Sequence, residues 1–450
     1  MSTDTPTLTR PPGPQLGPLE LARLLRRRQM TTLLERAARQ SPEVAHFRIG
    51  FEHAYLVSTP ELVRELFGPL GRVTAKGRGL EQARLLLGDG LLTSEGELHR
   101  RQRRLIQPAF HHSRIPAYEE VMRVEAAALP QRAGWAQGAV RDLAADMADL
   151  TLRIVGRALF ATDLGADSPA VAGALHELLS RFQRVMLPGG PLLNRVPLPS
   201  TLRVRTAIAD LNGVVDRLIA EHRAAGRTEG LLADLLAARD EDGRPMPAGQ
   251  VRDEVLTLVL AGHETTANAL AWSWVLLDRH PQAAARLHEE VDTAPAVPTV
   301  ADLPWTRAVV AETMRLYPPA WVVGRRMLAD ARLGGWTVPA RSIVMASQWV
   351  THRDPRWWPD ATAYRPERWI ADGAFDEAAP GQPRGAYFPF GMGRRVCVGE
   401  SFAWTEAVLV LAALARDWAP ALLPGARVDV LPAVTLRPRY GLPATLHRRG

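Results

Sequence analysis

Apolar residues recur at helical spacing over most of this chain and alternate in only a few short stretches. Residues 19–40 carry a basic amphipathic pattern, with leucines set among arginines, which predicts helix. Strand-like alternation follows over His46–Thr59, and Pro60 opens a further helical run to Phe67. Residues 72–97 mix glycine with apolar residues and read as a loop with little regular structure. Helical patterning dominates from about Arg100 to Arg286, with a break at Leu187–Pro199. Another helix fits Leu303–Tyr317 and stops at Pro318-Pro319. Strand-like pieces at Arg332–Val338 and Ser342–Gln348 lead into an ordered coil over 350–396, rich in Pro, Gly, Trp and Arg. A last helix restarts after Cys397 and runs to about Arg416, ahead of short strands in Arg427–Leu446. The pattern is that of a mainly α, α+β protein without internal repeats.

One apolar stretch, Val255–Leu277, is long enough to cross a bilayer. Its middle holds His263, Glu264, Thr265, Thr266 and Asn268, and a carboxylate at that depth is costly. It reads instead as a helix over 249–279, about 45 Å long, buried through a soluble protein. The opening residues lack the apolar core of a secretory signal. A cytoplasmic protein is expected, and the basic pattern at 19–40 leaves peripheral membrane contact open.

A length of 450 residues would allow two or three ordinary domains, but no long linker divides the chain. Hydrophobic residues at 46% and charged residues at 23% exclude a disordered chain or a fibre. The formal charge of +7 invites a nucleic-acid reading. Of the 55 basic residues, however, only Lys76 is lysine, and the arginines are spread along the chain. That is a coding bias more than a phosphate-binding strategy, so no nucleic-acid partner is expected. Cys397 is the one cysteine, which excludes an intramolecular disulfide and a Cys-cluster zinc site. His111-His112 is an isolated pair, and His288-Glu289-Glu290 lacks a second zinc-spaced histidine.

A lone cysteine is either a small buried core residue or a chemically employed one. Cys397 lies just before an apolar helical run, where a helix N-terminus favours a thiolate. The glycines around it let backbone approach a bulky planar group. Phe390-Gly391-Met392-Gly393-Arg394-Arg395-Val396-Cys397-Val398-Gly399 resembles the haem-binding signature of the cytochrome P-450 family of haem-thiolate monooxygenases. It is similar at every fixed position, Phe390, Gly393, Arg395, Cys397 and Gly399. Other segments extend the resemblance to nearly the whole chain. Glu312-Thr313-Met314-Arg315 resembles the family's Glu-x-x-Arg pair, and Pro366-Glu367-Arg368-Trp369 its later arginine segment. His352-Arg353-Asp354-Pro355 is similar as well. Ala261-Gly262-His263-Glu264-Thr265-Thr266 resembles its acid–alcohol pair.

The proline-rich opening residues 1–18 read as an irregular arm, and the resemblance implies a single P-450 domain over 19–450, with a large helical part and a small β part. It implies haem b, iron protoporphyrin IX, with Cys397 as the iron ligand. Phe390, Gly391, Arg395 and Gly399 then belong to the cofactor site. His99 and Arg103, one helical turn apart, and Arg325 fit the haem propionates. Tryptophan is common in the family where His99 stands, and phenylalanine where Trp369 stands. Glu264 and Thr265 are the expected catalytic pair, managing protons for iron-bound dioxygen. Glu312, Arg315 and Arg368 form a structural ion network.

The expected activity is hydroxylation of a lipophilic substrate, a terpenoid, carotenoid or long-chain lipid, using O2. Leu86, Leu87, Phe182, Met186, Ala261, Trp321 and Val322 are expected pocket walls, all apolar, although such residues also make ordinary core. The two electrons would come from a separate ferredoxin or flavodoxin with its reductase, docking a basic face that includes Arg100, Arg101, Arg104 and Arg394. A peroxide-driven haem-thiolate enzyme and a non-catalytic haem sensor or carrier are the alternatives. Glu264 and Thr265 count against the first.

Overall fold

A computed structural model describes residues 10–165, 167, 169–171, 173, 174, 177, 199–228, 230–239 and 243–449. The predicted long helix spans Ala248–Arg279. It is apolar on nearly all sides because it is covered on nearly all sides, and His280 before Pro281 ends it in an extended conformation. The helix Leu143–Phe160 crosses it closely. Gly262 permits the approach: a Cβ there would lie 2.9 Å from Val155 Cγ2, and Thr151 donates to the His263 carbonyl at 3.1 Å. The helices Ile115–Ala133, Pro304–Leu316 and Glu400–Asp417 complete the main core around these two. Asp142 caps Leu143–Phe160 by accepting from Ala144 N at 3.0 Å. It also accepts from Leu442 N at 2.8 Å, which ties the helix start to the C-terminal strands.

The largest sheet has five strands. Val44–Ile49 pairs antiparallel with Glu52–Val57, which lies parallel to Ile343–Ala346. Ile343–Ala346 pairs antiparallel with Val323–Met327, and that strand with Thr74–Lys76. The arm before Pro18 lies against the outer strand, with Pro11 and Pro14 buried and the Pro12 carbonyl accepting from His46 N at 3.1 Å.

Residues 72–97 depart from the loop expected there. They contain the strand Thr74–Lys76 and the helix Arg78–Leu87. A three-residue strand is too short to show alternation. The helix starts at Gly77 without a capping side chain, so neither end announces itself in sequence. The strand Val323–Met327 was likewise not expected. The break expected at Leu187–Pro199 lies mostly outside the described residues.

The structure brings Glu312, Arg315 and Arg368 together, with Glu312 and Arg315 fully buried. The Glu312 carboxylate accepts from Arg315 Nε and Nη2 at 2.8 Å each, Arg368 Nε at 3.1 Å, Trp369 Nε1 at 2.9 Å and Arg365 N at 2.9 Å. Arg315 also donates to the carbonyls of His352, Ala361 and Ala363. One short helix thereby fixes the coil that leads to Cys397. Losing one partner of such a buried pair costs about 3–5 kcal/mol. Glu312→Ala is therefore expected to lower the denaturation midpoint strongly or to prevent folding. Arg368→Met, which leaves the Arg315 bonds intact, should lower it less; urea melts of both variants check the order.

Candidate haem-thiolate site

The coil enters the cysteine loop through Gly391, and Cys397 N donates to the Phe390 carbonyl at 3.0 Å. Gly393 has φ +72°, and a Cβ there would strike the Phe67 carbonyl, so only glycine fits. A turn of 3-10 helix at Gly393–Arg395 then presents Cys397 ahead of the helix Glu400–Asp417. The Gly399 N–H and the Arg103 charge both favour a thiolate, as the helix N-terminus predicted. Burial outweighs them and, with Glu400, pushes the thiol pKa up. The side chain nonetheless keeps accessible surface, as a residue facing an internal space does. A bound cation would supply the missing stabilisation of a thiolate.

Beside the cysteine lies a group of buried cations. Lys76 stands directly opposite Arg325 across the strand pair, and His99 and Arg395 are their neighbours. Burial and then the surrounding positive charges push Lys76 down to about 7 and His99 to about 4, while burial and Arg395 push Arg325 to about 10. Glu95 is the main counter-charge, held by Arg395 on both oxygens and by Lys76 N at 2.5 Å. The Arg325 guanidinium lies over the Phe67 ring at 5.3 Å and makes no hydrogen bond among the described residues. This donor set is short of negative charge, and two carboxylates at one edge of a planar group would satisfy it. The residues therefore fit haem. Arg103 donates from one guanidinium nitrogen to the Val396 carbonyl at 2.8 Å, which braces the cysteine loop.

The long helix carries the expected acid–alcohol pair. Around its middle, Ala261 is exposed and Thr265 partly so, while His263, Glu264 and Thr266 are buried. One helical turn apart, Ala261 and Thr265 share a face, and the Thr265 hydroxyl donates to the Ala261 carbonyl at 2.7 Å. Burial raises the Glu264 pKa against the opposing effects of a Thr435 hydrogen bond and the Arg437 charge. His263 is fully enclosed, and burial lowers it to about 4, so it stays neutral at physiological pH.

Of the expected pocket walls, Ala261 shows an accessible face, Val322 is half-buried and Leu87 is buried. Trp321, next to Val322, is buried. It is packed in the core beside the five-stranded sheet, and its indole N–H is committed to the Ala433 carbonyl at 3.1 Å. The Leu86 side chain, Phe182 and Met186 lie outside what the structure describes.

Two contributors were not named from sequence. Lys76 is one; its Nζ donates to the Leu91 and Ser94 carbonyls at 2.8 and 2.6 Å. Its being the only lysine in an arginine-rich chain was a usable signal. Glu254 is the other. It accepts from Leu91 N at 2.8 Å, and burial raises its pKa to about 7. Nothing local in the sequence marks it.

A cysteine poised to meet a cation, beside buried cations awaiting carboxylates, defines a haem-thiolate protein. A family model described as Cytochrome P450 matches residues 11–432. Two proteins of Streptomyces melanosporofaciens are each 39% identical. One, cyclooctatin synthase, matches over 88% of this chain and 86% of its own length. The other, cyclooctat-9-en-7-ol 5-monooxygenase, matches over 85% and 83%. A solved six-coordinated cytochrome P450 from Thermus thermophilus superposes with a TM-score of 0.72 at 30% identity, covering 94% of this chain and 98% of that one. The chain belongs to the cytochrome P450 family: it is a P450 monooxygenase with haem as cofactor. No helix among the described residues is long and apolar enough to cross a membrane.

Lys76 gives a pH signature. In the haem-free chain its folded pKa, about 7, lies below the unfolded value of 10.5. The unfolded state thus binds more protons between those values, and folding stability should rise with pH from about 7 to about 10.5. Denaturant midpoints of the haem-free protein across that window, set beside Lys76→Met, check the slope. The variant should be flatter.

Proposed function

We propose that this enzyme hydroxylates a terpenoid, drawing its electrons from a separate acidic redox protein. Haem bound through a thiolate supplies the activation of dioxygen and the transfer of one oxygen atom to a C–H bond. In this chain Cys397 would hold the iron. Lys76, His99, Arg325 and Arg395 would hold the propionates. Ala261 and Thr265 would line the distal face, with Glu264 and Thr265 moving protons toward it. Leu87, Ala261 and Val322 offer no charge to anchor a substrate carboxylate, which favours a hydrocarbon framework over a fatty acid. The observation that carries the substrate class is the 39% identity to a monooxygenase of cyclooctat-9-en-7-ol, a terpenoid.

The electron donor is read from the surface. Arg100, Arg104, Arg114 and Arg394 are exposed. Arg104 and Arg114 line a shallow groove of about 500 Å³ with His111. The helix Gly96–Ile106, which carries Arg100 and Arg104, meets the cysteine loop through Arg103 and Val396. Positive charge near the iron side suits an acidic ferredoxin or flavodoxin.

Two measurements test this. The dithionite-reduced protein with carbon monoxide should show the strongly red-shifted Soret band of thiolate ligation, and Cys397→Ser should lose it. Polycyclic terpene olefins and alcohols should then shift the ferric spin state, and fatty acids should not. The reverse ranking would move the substrate class to lipids. For the donor, Arg100→Glu with Arg104→Glu should slow reduction and flatten its salt dependence. An unchanged rate would place docking elsewhere.

A further inference from the structure

The Thr265 hydroxyl bonds back along its own helix, and the Glu264 carboxyl is held by a residue remote in sequence. Thr435 Oγ1 lies 2.5 Å from Glu264 Oε1, and both side chains are buried. Asn268, one helical turn beyond Glu264, completes the arrangement. Its Nδ2 reaches the Glu264 backbone carbonyl at 2.8 Å and Thr435 Oγ1 at 3.2 Å. A carbonyl can only accept, so the Asn268 amide nitrogen faces both groups. The Thr435 oxygen therefore accepts from Asn268, and its hydrogen is left to donate to Glu264 Oε1. Among the described residues this is the hydrogen bond made by the Glu264 carboxyl.

The hydroxyl is itself placed with care. Thr435 sits at the tip of a hairpin formed by Val430–Pro432 and Leu436–Pro438. Two buried tryptophans fix that tip: Trp321 donates to the Ala433 carbonyl at 3.1 Å, and Trp272 to the Leu436 carbonyl at 3.0 Å. Leu436 N adds a bond to the Pro319 carbonyl at 2.9 Å. Trp272 belongs to the same helix as Glu264, so carboxyl and hydroxyl are held in one frame. A buried glutamate without such a partner could take several rotamers.

We propose that Thr435 is a positioning residue for proton delivery: from the hairpin tip it holds the Glu264 carboxyl in the single rotamer from which Glu264 serves the distal face. This rests on the reading of Glu264 and Thr265 as the proton-handling pair. The tip hairpin is then part of the oxygen chemistry as well as a wall of the fold.

The test uses the full-length, haem-loaded enzyme with Thr435→Val, nearly isosteric but without the donor, and Thr435→Ser, which keeps it. The first readout is the infrared C=O stretch of the buried carboxylic acid, assigned by its disappearance in Glu264→Gln. Thr435→Val should move that band to higher frequency, and Thr435→Ser should leave it in place. The second is product formed per NADPH with a surrogate redox pair. Thr435→Val should lower it about fivefold, the size of one ordinary hydrogen bond, with the lost electrons appearing as peroxide. Thr435→Ser should restore it, and the spin-shift midpoint for substrate should stay constant. An unmoved band, or unchanged coupling in Thr435→Val while Glu264→Gln collapses it, would overturn the proposal. Unchanged coupling in Glu264→Gln would instead overturn the underlying reading of the acid.

Discussion

Lys76 and Arg325 stand directly opposite each other on paired strands, an arrangement that costs energy on any sheet unless a carboxylate faces the pair. Here both are buried, and Arg395 adds to the charge. Glu95 offsets only part of it, and most of Glu95 is taken by Arg395. The edge of the sheet, the helix Gly96–Ile106 and the cysteine loop thus converge on charge that the described residues neutralise only in part. A cofactor with two carboxylates would complete the electrostatics of the fold at this point. Its binding and the ordering of three separate segments are then coupled.

The opposite requirement governs the coil that carries the cysteine. There the charges are matched within the protein: the Glu312 carboxylate accepts five hydrogen bonds, and Arg315 turns its remaining donors to three backbone carbonyls. A long coil has few backbone bonds of its own, so side chains from a neighbouring helix must supply them. The two networks divide the work. One is complete and rigid without the cofactor, and the other is left incomplete for it.

Sequence showed the parts of this design that depend on residue identity at fixed spacing. The cysteine loop, the Glu312–Arg315 pair and the long helix were legible because a glycine-rich signature, an i,i+3 ion pair and a buried apolar run are local patterns. Lys76 and Arg325 were harder, because their relation is a cross-strand register between segments far apart in the chain. Thr74–Lys76 is too short to show alternation, and Val323–Met327 reads Val-Gly-Arg-Arg-Met, with none. Trp321 was assigned to the pocket on its apolarity. Its apolarity did not show where its N–H goes: a buried indole needs an acceptor, and Ala433 provides one. Thr435 could not be found at all from sequence, because a lone threonine in a short strand pair has no local signature.

The outer strand Val44–Ile49 is one margin of the five-stranded sheet, and a sheet margin is a row of unpaired backbone groups able to recruit another chain. The arm laid along it is rich in proline: Pro11, Pro12 and Pro14 carry no N–H, so the arm can lend the Pro12 carbonyl to His46 without offering a new row of donors. It works as a cover that ends the sheet. The arm thereby shields this margin of the sheet from pairing with another strand.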